Sequence, residues 1–145
     1  MGKGIAVIFV SVIVSAGIAW GDGGSTAKRL YDRLGGKGAI TAVVETFVGK
    51  VGADKRINGY FGSTDLTKLK VHLVDQICEA SGGPCKYTGR SMKQTHAGIG
   101  VTDAAFGALV EDLVAALNQH KVGKAEQDQL VGILGPMKSD IVEKK

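Results

Sequence analysis

Apolar residues return at every third or fourth position along most of this chain, the spacing of helices that bury one side. Over residues 39–51 the apolar set is Ile40, Val43, Val44, Phe47, Val48 and Val51. So broad a stripe predicts a helix packed on two sides. Asp65 is a natural N-cap for the next helix, predicted over 66–80 with Leu66, Leu69, Leu73, Ile77 and Ala80 along one line. Gly82 and Gly83 end it. A short polar helix is predicted at 91–97, after the loop Lys86-Tyr87-Thr88-Gly89. Thr102 caps a long helix that carries Phe106, Leu109, Val110, Leu113, Val114 and Leu117. The last runs over about 125–142, and Pro136 should bend or break it by removing a hydrogen bond and crowding the preceding turn. No segment alternates as a half-buried strand would. The expected fold is all-α, with about five main helices and glycine-rich corners at Gly35-Gly36 and Gly82-Gly83. Five helices over ~120 residues are enough to enclose one cofactor between facing helices.

Residues 1–21 stand outside this pattern. A basic start at Lys3 is followed by an almost wholly apolar run over 5–20, then small residues and the first acid, Asp22. That order is the one found in secretory signal peptides. The run falls short of the roughly 20 apolar residues that span a bilayer comfortably, so an uncleaved membrane anchor is the alternative. The chain therefore divides into a leader at 1–21, a flexible linker at 22–29 and one domain at 30–145, and the expected location is periplasmic or extracellular. Lys and Arg number 18 against 14 acids, a formal charge of +4. Losing the leader removes Lys3 and no acid, leaving 17 against 14 and +3. The two signs are interleaved except at Glu143-Lys144-Lys145, which describes a solvated mixed surface and not a nucleic-acid binder. Export also bears on the only two cysteines, Cys78 and Cys85, with Gly82-Gly83-Pro84 between them. That turn could fold Cys85 back toward the preceding helix, and an oxidising compartment permits a disulfide. The alternative is two buried thiols acting as small hydrophobes.

Reactive side chains are few. No Cys-x-x-Cys, His-Glu-x-x-His or Gly-x-Ser-x-Gly occurs, and no glycine-rich corner leads into Gly-Lys-Ser/Thr. Zinc hydrolysis, serine catalysis and phosphate binding therefore lack support. Of the three histidines, His120 sits among polar residues at a helix end, where it complements the helix dipole. His72 lies at the edge of an apolar stripe, next to Leu73. His96 ends the short helix beside Ala97, Gly98 and Ile99, where small residues allow a flat ligand to come close. Each is also readable as an ordinary hydrogen-bonded structural histidine.

Three segments in order, LYDRLGGKGAI from Leu30, ADKRINGYF ending at Phe61 and GGPCKYTGRSMKQTHAGIGVT from Gly82, carry a resemblance. From Leu30 to about Pro136 the chain resembles the group-one truncated haemoglobins. The resemblance implies a shortened globin fold, a two-over-two helical sandwich around b-type haem. It implies His96 as the proximal iron ligand, Phe61 as an aromatic wedged against the haem and Met92 as a haem contact. Lys70 and Tyr87 become neighbours of the propionates, the alternative for Lys70 being a plain surface lysine. Phe61 and Met92 are equally readable as core packing.

The chain also departs from the family pattern. Where many relatives have Phe-Tyr, with the tyrosine hydroxyl holding the ligand, this chain has Phe47-Val48. Leu73 replaces a common glutamine, and Leu69 stands one turn earlier. The distal side is then apolar except for His72, at a place where some relatives bind iron through a second histidine. The resulting expectation is a haem protein that binds oxygen, NO or CO, with His72 as distal iron ligand and a redox role through an unidentified electron-transfer partner. The alternative is an enzyme, an NO dioxygenase or nitrite reductase. Loss of the tyrosine and glutamine, with no reductase domain, counts against it, as colourless protein after haem supplementation would count for a plain helical adaptor.

Overall fold

The computed structural model describes residues 28–145. The leader expected at 1–21, and residues 22–27 of the expected linker, lie outside the described residues. The order is α1 (Leu30–Arg33), α2 (Gly36–Ala53), a 3-10 turn (Asn58–Phe61), α3 (Leu66–Ala80), α4 (Met92–His96), α5 (Asp103–Gln119), α6 (Lys124–Leu134), a second 3-10 turn (Gly135–Met137) and α7 (Lys138–Ile141). Among the described residues there is no strand, and no helix is long and apolar enough to cross a membrane. Helix α2 packs on α3 and on α5, and α5 on α6, so the pair α2–α3 faces the pair α5–α6.

Local chemistry sets the element ends as the sequence implies. The Asp65 carboxylate accepts the N–H groups of Thr67 and Lys68, and Thr102 Oγ1 accepts that of Ala105. Each satisfies donors that the first helical turn leaves open. At Pro136 the last helix tightens into the 3-10 turn and resumes as α7. The broad stripe of α2 is wholly buried, from Ile40 to Val51. Arg29, read as the last linker residue, is tied down: its guanidinium bonds Asp32 and the Gly82 carbonyl.

Helix α3 departs from its expected orientation. Leu66 is 45% exposed and Leu69 and Leu73 are half-buried, whereas Val74, Ile77 and Cys78 are the buried positions. The helix has two apolar flanks, and α2 takes the one that holds Val74 and Cys78. Leu69, Leu73 and the intervening His72 lie on the other. A single apolar line, counted by spacing, cannot tell which flank meets protein and which meets a ligand.

Candidate functional site

His96 closes α4, a helix of five residues (Met92–His96). Its start is a reciprocal cap in which Ser91 Oγ accepts the Gln94 N–H and the Gln94 side chain accepts the Ser91 N–H. Its end is enforced by Ala97 in an extended conformation and Gly98 at φ +78°, left-handed backbone that glycine adopts without strain. The His96 ring is fastened to its own helix, with Nδ1 2.7 Å from the Met92 carbonyl oxygen. A carbonyl only accepts, so Nδ1 carries the proton and donates. Nε2 is then the nitrogen with a free lone pair, the state a metal-ligating imidazole needs.

The segment after His96 is held from an unexpected quarter. Glu143 and Lys144 donate their N–H groups to the Val101 carbonyl, and Asp103 donates to that of Lys144. The last residues of the chain thus brace the link between α4 and α5.

His72 presents the opposite case. Its Nδ1 is buried and has no hydrogen-bond partner. Its ring meets Tyr87 edge-on, with centroids 5.7 Å apart and planes at 71°. Tyr87 donates its main-chain N–H to Glu79 Oε2 at 2.6 Å and its hydroxyl to the Arg90 carbonyl at 2.7 Å. Cys85, two residues earlier, is joined to the fully buried Cys78 by a disulfide, as the cysteine spacing and the leader suggested.

The remaining residues singled out in the sequence divide into those near these histidines and those elsewhere. Leu69 and Leu73 flank His72 on α3, while Phe47 and Val48 are buried in the core. Met92 is half-buried between helices, its sulfur 3.5 Å from the Gln76 amide nitrogen, which also reaches Met137 sulfur at 3.2 Å. Phe61, at the end of the first 3-10 turn, packs half-buried against the core. Lys70 is not brought to this group. It lies on the α2 side of α3, with Nζ 2.6 Å from Glu45 Oε2, because that flank offers a carboxylate one helix away. His120 ends α5 and bonds Thr46 Oγ1 at 2.7 Å.

Sequence reasoning missed the corner that carries Phe61. Arg56 grips Asp54 through two nitrogens and reaches Glu111 on α5 at 2.7 Å. The Arg56 guanidinium holds the Asp54 carboxyl at about 2, well below the usual carboxylate range. Asp112, one residue from Glu111, goes the other way. Burial, then a hydrogen bond with Asp54 and the charge of that carboxylate, raise its carboxyl, and its Oδ2 finds no partner. Glu79, the anchor of Tyr87, was equally missed, although its place two turns beyond His72 on one helix face was a readable signal.

Residues 29–143 match the bacterial-like globin family model. The chain belongs to the bacterial-like globins, within the group 1 truncated haemoglobins. It is 38% identical to the group 1 truncated haemoglobin of Mycolicibacterium paratuberculosis, over 77% of this chain and 82% of that one. It is 30% identical to the Tetrahymena pyriformis group 1 protein, over 81% and 97%. The solved structure of that Tetrahymena truncated haemoglobin, in its Fe(III) form, superposes with a TM-score of 0.77, covering 79% of this chain and 98% of the other. A 2/2 haemoglobin from Synechococcus, in a cyanomet state with covalently attached haem, gives 0.75 at 38% identity over 79% and 98%. Haem with its iron is accordingly the cofactor of this truncated haemoglobin. The residues fit it: one imidazole has its tautomer fixed for ligation by a backbone carbonyl, and a second has a ring nitrogen that no protein group satisfies.

Proposed function

We propose that His96 holds the haem iron permanently, that His72 holds it reversibly, and that a diatomic ligand such as oxygen, NO or CO binds by displacing His72. The carrying observation is the contrast between the two Nδ1 atoms: that of His96 is bonded to the Met92 carbonyl and that of His72 is bonded to nothing. A ring N–H given to a carbonyl fixes the imidazole's rotation and raises its basicity. His96 has that support and is a strong ligand. His72 lacks it, so it is both the weaker ligand and the freer to turn away.

Haem, when bound, would supply an iron able to take imidazole or a diatomic ligand and to cycle between ferric and ferrous states. The protein does the rest. Leu69 and Leu73, which flank His72, offer no hydrogen bond to a ligand and favour exclusion of water. Their chemistry supports ligand binding or electron transfer with a redox partner over NO oxidation or nitrite reduction, which need polar groups to steady the reacting ligand. The Cys78–Cys85 bridge supports the reading of an exported protein, since disulfides persist in oxidising compartments.

Visible absorption of the ferrous protein near neutral pH is the test. Low-spin, six-coordinate bands are expected in the natural protein, with His72→Leu giving five-coordinate, high-spin bands and faster CO binding. Five-coordinate ferrous bands in the natural protein would overturn the role of His72.

A further inference from the structure

An imidazole whose buried Nδ1 has no hydrogen bond has its rotation set by what it packs against. For His72 the aromatic neighbour is Tyr87, and Tyr87 is not an ordinary loop residue. Its main-chain N–H is held by Glu79 and its hydroxyl by the Arg90 carbonyl. Gly89 lies so close beneath it that a Cβ there would sit 2.5 Å from the hydroxyl. Two residues before it, Cys85 is bonded to Cys78. Glu79 and Cys78 both belong to α3, the helix that carries His72, seven and six residues further on. Two of the three anchors of Tyr87 therefore share one helix with its target, and the third, at the hydroxyl, lies in the loop that leads into α4.

We infer that Tyr87 is a positioning residue for His72, clamped to α3 by the disulfide and by Glu79 so that its ring edge keeps the imidazole turned toward one orientation. This rests on the reading of His72 as a displaceable ligand given above. The clamp takes the place of the hydrogen bond that His96 receives from its own helix. An edge contact restrains without fixing, which suits a ligand that must leave. Opening the clamp frees the segment from Pro84 to Arg90, so His72 spends more time turned away.

The test uses the full chain with Tyr87→Leu, Tyr87→Phe and Cys85→Ala, each made alone and in the His72→Leu background. Before haem is added, NMR of the His72 ring protons reports the Tyr87 ring current directly. Displaced shifts are expected in the natural protein, moving toward free-imidazole values in Tyr87→Leu and partway in Cys85→Ala. With haem, CO association should quicken roughly two- to tenfold in Tyr87→Leu, the scale of one aromatic edge contact. It should quicken less in Tyr87→Phe, which keeps the ring, and in Cys85→Ala, which keeps the fold's small buried thiol at Cys78. None of these changes should alter the rate once His72 is leucine. Equal acceleration in both backgrounds, or His72 resonances unmoved by Tyr87→Leu, would overturn the assignment. If the ferrous natural protein proves five-coordinate, the ligand reading falls, and the haem-free shifts still decide whether Tyr87 orients His72.

Discussion

At the scale of single residues, the hydrogen bond from His96 to Met92 is worth more than its length suggests, because it decides which nitrogen faces outward. On the proposed reading, His96→Ala removes the permanent bond to iron and leaves only the displaceable His72 and apolar contacts to hold the group. A large loss of haem retention is expected, measured as transfer to a haem-scavenging protein. Unchanged retention and an unchanged spectrum would exclude the assignment. The carboxyls near Arg56 make a second case. Asp54 is held at about 2, so the stability it contributes is present above about pH 4 and is lost as pH falls through about 2. Asp112 is raised by burial, so its ionised form costs stability at neutral pH. Asp112→Asn should raise the urea midpoint at pH 7, and the gain should vanish near pH 3, where the carboxyl is protonated folded or unfolded. A lower midpoint at pH 7 would show that the Asp112 charge is used. Both histidines stood out in the sequence as candidates, from their flanking residues and the resemblance. The difference between them was not, since it lies in whether a carbonyl happens to meet Nδ1.

At the scale of elements, the caps and the glycine corners were readable because they depend on neighbours in the chain. Asp65, Thr102 and Pro136 act where spacing placed them. The rotation of α3 was not readable, because Val74 and Leu73 are equally apolar and only the partner helix distinguishes them. Glycines show the same limit. Gly83 lies where a Cβ would meet the Tyr31 ring at 2.5 Å and Cys78 sulfur at 2.7 Å, at the root of the clamped loop. Gly107, inside α5, has nothing within 4 Å of such an atom. One substitution should therefore act in opposite directions. Gly83→Ala is expected to destabilise by about 1–3 kcal/mol through overpacking, and Gly107→Ala to stabilise by about 0.5–1 kcal/mol by easing the helix's entropy cost. Urea unfolding measures both, and a neutral Gly83→Ala would mean that the Tyr31 contact gives way freely.

At the scale of the whole molecule, the two-over-two arrangement lets α3 face two ways, with Val74, Ile77 and Cys78 inside the core and Leu73, like Met92 of α4, half-buried against it. The bracing of Val101 by Glu143 and Lys144 works on a different clock. A chain emerges from its amino terminus, and domains form as their parts appear. The turn that follows His96 is fastened by residues far downstream, Glu143 and Lys144. A nascent chain can pair α2 with α3 while that fastening is still missing, so the turn after His96 is braced only once α5 and α6 have been made.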